Sequence, residues 1–370
     1  MKKNILFLSV VLICTLIFSQ LSAAENYEYS PPVEHGDGIP VSTIQAENMN
    51  QQLITKATQS IIGEKYEGIH SILVLKNGKL VYENYFQGFD ETMFHRIFSI
   101  SKSVTSILIG IAIDQGFIES VDAPLYSFFP EYPEAMDDPR KEKLTLRHVL
   151  TMTAGYDWDE WTHSYSEPEN TETQMVSTKN WVKFLLSLPM KYEPGEEWIY
   201  NTGSIHCLGA VTNRATGMNT DKFAEKYLFE PLGIENYSWN KDYKGFVAAG
   251  GTWGGLRLRS RDLAKIGILF RDKGVWDGKR VVSEKWVTES TKHQTGNASD
   301  REFGYLWWRG NFELHGKSYD HYYGAGYGGQ SLHYCPELDI MIIITSWGRE
   351  QDADILGPTL MIYNAAVKGK

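Results

Sequence analysis

Two serines in this 370-residue chain stand three residues before a lysine, in Ser99-Ile100-Ser101-Lys102 and in Ser238-Trp239-Asn240-Lys241. A serine hydroxyl is a useful nucleophile only when a neighbour takes its proton. A lysine amine does this once neutral, the form that burial favours. A spacing of three brings the two side chains together on one helix face, so the string has chemical meaning where a helix follows. The first copy opens one. Val104, Ile107, Leu108 and Ile111 recur at helical spacing, Ile109 and Ile113 widen the apolar face, and Gly116 ends the run. The pattern predicts a core helix over 99–116 with almost no wet side. Its N-terminus would set free N–H groups and the positive dipole end beside Ser99, suited to a developing oxyanion. A capping serine with a solvated lysine is the alternative meaning of the same four residues. The second copy follows Pro231-Leu232-Gly233 and leads into no periodic segment, so it is expected in a loop without chemistry.

Other chemistries are closed by what is missing. There is no Gly-x-Ser-x-Gly elbow and no His-Glu-x-x-His, and the ten histidines are scattered. Gly324-Ala325-Gly326-Tyr327-Gly328-Gly329 spells the dinucleotide fingerprint, but that motif needs a helix and a further βαβ unit after it. Here a β-like Ser331–Tyr334 follows, then Pro336 and a short remainder. No metal and no organic cofactor is implied. A net charge of −10 without a basic stripe excludes nucleic acid as the main partner, leaving a small-molecule substrate.

The positioning elements can be read around these residues. Lys2 and Lys3, the apolar run Ile5–Phe18 and the small residues Ser22-Ala23-Ala24 describe an export signal cut after Ala24, placing the mature chain in the periplasm or outside the cell. The apolar run is shorter than the roughly 20 residues that span a bilayer, so no membrane span is expected in the mature chain. Cys207 and Cys335 remain and are read as two buried free thiols. Ser71–Leu75 and Lys79–Tyr82 flank Asn77-Gly78, the pair that favours a two-residue hairpin. Helical segments and long loops follow from about 119 to 248, then glycines crowd 250–255. Ser260 is expected to cap an amphipathic helix through Phe270. Tyr305–Trp308 reads as β-prone, Ile340–Thr345 as a buried central strand, and about 356–368 as a last helix. Strands at both ends with helices between them predict an α+β fold: one antiparallel sheet, flanked by helices and completed by both chain ends, with an all-α insertion. The expected division is 25–98 plus 249–370 for the sheet and 99–248 for the helices, with the site between them.

These motifs together resemble the serine β-lactamase and penicillin-binding-protein superfamily. Within it they are most similar to the branch of class C β-lactamase-related hydrolases, family VIII esterases and 6-aminohexanoate-dimer hydrolases. Phe98–Ser103 resembles its first motif, Leu144–Gly155 the stretch before its active-site loop, and Trp198–Gly203 its second motif. Gly254–Leu258 with Arg261–Ala264 is another family block, and Gly324–Gln330 occupies the place of the third motif. The resemblance runs over roughly 65–365. It implies that Ser99 is acylated, that Lys102 activates it, and that Tyr200 moves the proton to the leaving group. It further implies an oxyanion hole from the backbone N–H groups of Ser99 and Tyr327, with Asn201, Thr202 and Gly326 as substrate-binding candidates. Two departures stand out. Asn201 comes one place early in Tyr200-Asn201-Thr202, and Gly324 fills the slot of the cation that holds a substrate carboxylate in β-lactamases and transpeptidases.

Between His148 and Thr178 there is no Lys or Arg, while Asp157, Asp159, Glu160, Glu167, Glu169 and Glu172 alternate with Tyr156, Trp158, Trp161 and Tyr165. Either this is a solvated acidic loop, or it overhangs the cleft and draws in a cationic substrate group through Asp157, Trp158 and Asp159. The expected function is an exported serine hydrolase that cleaves an ester or amide through a Ser99 acyl-enzyme. The alternatives are a β-lactamase or DD-peptidase, and a catalytically idle penicillin-binding-like receptor.

Overall fold

The computed structural model describes residues 24, 26–295, 302–348 and 353–367. Apart from Ala24, the expected export signal lies outside the described residues. Helix α1 (Gln51–Ile62) is capped by Asn50, whose Oδ1 accepts the Leu53 N–H at 3.3 Å. It leads into a hairpin of β1 (Ile69–Lys76) and β2 (Lys79–Tyr85). Asn77 and Gly78 sit at φ 52° and 75°, and Lys76 pairs with Lys79, so the turn takes the left-handed conformation that this residue pair tolerates.

Helices α2 (Ile100–Asp114), α3 (Thr202–Thr216) and α4 (Ser260–Arg271) come next. Four strands follow: β3 (Trp308–Leu314), β4 (Lys317–Gly326), β5 (Gln330–Cys335) and β6 (Ile340–Ser346). Helix α5 (Leu356–Ala366) comes last. The sheet runs β2-β1-β6-β5-β4-β3 and is antiparallel throughout, with the late strand β6 seated between β1 and β5.

Alternation along β6 sorts two cores. Ile340, Ile342 and Ile344 join α1 and α5 on one face, while Met341 and Ile343 join α2, α3 and α4 on the other. Residues Ile100–Ala112 of α2 are all buried, as their near-continuous apolar pattern requires. Among the described residues no helix is long and apolar enough to cross a membrane, and Cys207 and Cys335 are buried and unpaired.

Several expectations need correction. Ser260 does not cap α4; Arg259 holds that position, while the expected amphipathic helix does run through Phe270, with its residues Ser260–Phe270 buried. Tertiary demand overrides the capping preference: Ser260 Oγ lies 2.7 Å from Ser71 Oγ, itself 2.6 Å from Thr345 Oγ1, tying α4 to the sheet. Tyr305–Trp307 is not strand. Leu306 turns at φ 63°, and Trp307 is buried against Phe270 with ring centroids 4.6 Å apart. The glycine-rich fingerprint behaves as expected: Gly324–Gly326 end β4, Gly328 and Gly329 turn at φ 82° and 88°, and strand β5 rather than a helix follows directly.

Candidate active site

Ser99, the candidate nucleophile, stands on a strained turn. Phe98, immediately before Ser99, has φ 45°, uncommon for a bulky side chain. Its conformation is held from outside. The N–H groups of Ile97 and Phe98 donate to the carbonyls of Leu256 and Gly254 at 2.9 and 3.1 Å, beside the pairing of His95 with Leu258. Gly251 lies against the other side of the turn at φ 99°. A Cβ there would fall 2.6 Å from the Phe98 carbonyl and 2.9 Å from the Ser99 nitrogen. The crowded glycines are therefore the bed on which the Ser99 turn rests. Helix α2 starts directly after it, and the N–H groups of Ile100, Ser101 and Lys102 donate to the carbonyls of Ile97, Phe98 and Ser99 at 3.1, 2.9 and 3.0 Å, so the free donors expected at this helix start are not found at these three residues.

Lys102 is 3% exposed, and its Nζ lies 2.9 Å from Ser99 Oγ. The same Nζ donates to the Gly250 carbonyl and sits 4.7 Å from the centre of the Tyr200 ring. Tyr200 is held between Trp161 and Trp308, with centroids 5.0 and 6.0 Å away and planes within about 20° of parallel. The fold thus brings Ser99, Lys102 and Tyr200 to one place. A cavity of about 260 Å³ opens at Ser99, walled by Phe98, Tyr165, Glu172, Thr252, Trp253 and Tyr327 among others.

The remaining candidates fall differently. Asn201 is buried, and its Oδ1 accepts the Ser204 N–H at 2.9 Å, so it caps α3 rather than facing a substrate. Thr202 lines the cavity, yet its N–H and hydroxyl both donate to Glu160, at 2.7 and 2.8 Å. Gly326 ends β4 where a Cβ would meet the Ile97 carbonyl at 2.4 Å; its role is close backbone approach. Tyr327 is half exposed on the cavity wall, edge-on to Phe98 and Tyr165. At Gly324 a Cβ would point at Ile100 and Ser103, 3.3 Å away. No lysine or arginine lines the cavity among the described residues.

The acidic loop does reach the cleft, but not through the expected residues. Asp157 is exposed and 3.6 Å from Lys191. Asp159 turns back to accept the N–H groups of Trp161 and Thr162 at 3.1 and 2.9 Å, and these bonds hold its carboxyl below the usual range. Trp158 is buried, its Nε1 donating to Glu160 at 2.7 Å. Short polar side chains satisfied by their own loop have no reason to face a cavity. Glu172 faces it instead. Its Oε1 accepts the Thr252 hydroxyl, and Thr252 Oγ1 lies 2.8 Å from His206 Nε2. Burial, and then the charge of Glu160, raise the Glu172 carboxyl well above its ordinary range, against the Thr252 hydrogen bond and Lys102. Burial and the Lys102 charge push the His206 imidazole down to about 3. Among the described residues one group could bring metal ligands together, His163, Glu167 and Glu169, at the loop surface and within 4.8 Å.

The order of these parts along the chain matches a known family. The family model described as Beta-lactamase matches residues 64–361. The chain belongs to the beta-lactamase family. This beta-lactamase-family chain is similar to the 6-aminohexanoate-dimer hydrolase of Paenarthrobacter ureafaciens, at 27% identity over 305 residues, covering 75% of this chain and 72% of that protein. It is also similar to the lovastatin esterase of Penicillium rubens, at 27% identity over 167 residues, 40% of this chain and 39% of the esterase. Among solved structures, EstCE1, a hydrolase with promiscuous acyltransferase activity, shares the fold with a TM-score of 0.66 at 15% identity, over 88% of this chain and 99% of that one. The protein is a serine hydrolase of this family, with esterase and amide-hydrolase relatives.

Proposed function

We propose that this enzyme, exported from the cytoplasm, cleaves an ester or amide of a small molecule through an acyl-enzyme on Ser99. Ser99 Oγ attacks the carbonyl carbon while its proton passes to the Lys102–Tyr200 pair. The backbone N–H groups of Ser99 and Tyr327 hold the developing oxyanion. The pair then returns the proton to the leaving alcohol or amine. Water attacks the acyl carbonyl, gives up a proton to the same pair, and releases the acid and the free serine. One observation carries this reading: Lys102 is buried with its Nζ 2.9 Å from Ser99 Oγ, at the mouth of a cavity that accommodates a small substrate. The cation-free wall and Gly324 favour esters and amides over β-lactams, whose carboxylate would find no partner there.

The test is turnover of short-chain 4-nitrophenyl esters, the linear 6-aminohexanoate dimer and a chromogenic cephalosporin by the wild type and Ser99→Ala. Esters or the amide should be hydrolysed, with kcat lost by on the order of a thousandfold or more in the variant. Cephalosporin turnover matching that of the esters would instead make the protein a β-lactamase. No turnover of any substrate would make it an idle receptor.

A further inference from the structure

The proposed mechanism leaves two buried carboxyls of the loop unused, Glu160 and Glu172. Four donors converge on Glu160. Trp158 Nε1 and the Thr202 N–H reach Oε2, both at 2.7 Å, while the Thr202 hydroxyl and the Tyr165 hydroxyl reach Oε1 at 2.8 and 3.1 Å. All four are donors, so Glu160 serves them as an acceptor, and its charge is among the causes that raise the Glu172 carboxyl. Glu172 belongs to the same buried wall. Asn170 bridges the two, its amide donating to the Glu160 carbonyl at 3.2 Å and its Oδ1 accepting the Glu172 N–H at 2.9 Å.

Two carboxylates in one desolvated wall repel each other, and the second holds its proton unless a cation answers it. The groups facing Glu172 do not supply that answer. His206, reached through Thr252, is neutral, and Tyr165 presents a phenol whose proton is held by burial and by Glu160. Lys102, on α2, opposes the effect of Glu160 on Glu172 but is itself held by Ser99 Oγ and the Gly250 carbonyl. One Glu172 oxygen is tied to Thr252; the other has no protein partner among the described residues and borders the cavity at Ser99.

We infer that Glu172 is a specificity-determining residue, a neutral carboxylic acid that donates a hydrogen bond to an uncharged acceptor oxygen on the substrate. The inference rests on the ester or amide hydrolase reading of the same site. It makes the enzyme select substrates with a hydroxyl, ether or carbonyl oxygen at this place over isosteres carrying an ammonium. Ionising Glu172 reverses the preference, because a carboxylate accepts from an ammonium and cannot donate to an oxygen.

The test is the ratio of kcat/KM for 4-nitrophenyl 6-hydroxyhexanoate and 4-nitrophenyl 6-aminohexanoate from pH 5 to 9. Both ends keep their charge over this range, so the ratio reports the enzyme. In the wild type the ratio should favour the hydroxy ester at low pH and fall by about tenfold or more as Glu172 ionises. Glu172→Gln should favour the hydroxy ester at every pH, with no transition. Glu160→Gln removes the repelling charge and should move the transition to lower pH, a shift that mere loosening of the loop would not produce. A flat wild-type ratio, an unchanged transition in Glu172→Gln, or an unmoved one in Glu160→Gln overturns the inference. Failure of the wild type to hydrolyse either ester contradicts the hydrolase reading itself, which separates the two failures.

Discussion

Ser99–Lys102 and Ser238–Lys241 share the Ser-x-x-Lys spacing in two environments. At the first, Phe98 is forced to positive φ, the helix behind it is buried, and Lys102 is removed from water with Ser99 Oγ and a backbone carbonyl as its neighbours. At the second, Ser238 and Trp239 form a two-residue strand beside Leu256–Leu258. Ser238 is exposed, and Lys241, more than a third exposed, donates to Asp221 at 2.7 Å. The serine, the lysine and their spacing are common to both, so these alone do not set the first copy apart. The difference lies in a turn held by its surroundings, and in a lysine placed against a hydroxyl and away from any carboxylate in direct contact.

The widest gap between the two copies should appear in catalysis. Ser99→Ala or Lys102→Ala should lower kcat for an ester by on the order of a thousandfold or more, whereas Ser238→Ala and Lys241→Ala leave it unchanged. Steady-state kinetics on the four variants would break the comparison if the second pair mattered. The support of the first turn comes next. Gly251→Ala puts a methyl group into the Phe98–Ser99 backbone at a φ that only glycine adopts easily, and should cost about 1–3 kcal/mol of stability, read by denaturant unfolding, together with activity. Asn201→Ala removes the cap of α3, the helix that begins just after Tyr200. A loss of about 1 kcal/mol is expected, with the Asn201→Asp variant recovering most of it. The smallest effect belongs to Asp157→Asn. An exposed pair at 3.6 Å is worth less than about 1 kcal/mol, and the selectivity between amine-bearing and neutral esters should not move.

How far the molecule could be read from its residues follows the same division. The Asn77-Gly78 hairpin, the apolar run of α2 and the isoleucines of β6 were legible because periodicity and turn chemistry are local and burial agrees with them. That Ser99, Lys102 and Tyr200 would lie together could be expected because motif order survives without knowledge of the fold, and Lys102 Nζ does lie beside both Ser99 Oγ and the Tyr200 ring. What could not be read depends on backbone atoms and loop direction. The Gly250 carbonyl that accepts from Lys102 Nζ leaves no side-chain signal, and the positive φ at Phe98 is held by hydrogen bonds to Gly254 and Leu256, distant in sequence. In the acidic loop, residue type did not reveal which carboxyl faces inward. Asp157 and Asp159 satisfy themselves locally or at the surface, while Glu160 and Glu172, one methylene longer, reach Thr202 and Thr252. The Asn201 cap had a usable signal, an asparagine directly ahead of a helix.

Covalent labelling reads the central claim most directly. The protein would be treated with a fluorophosphonate, digested, and the modified peptide mapped by mass spectrometry in the wild type, Ser99→Ala and Ser238→Ala. A single adduct on Ser99, lost in Ser99→Ala and kept in Ser238→Ala, is the predicted result. No adduct on the wild type, or an adduct that persists in Ser99→Ala, would contradict Ser99 as the nucleophile.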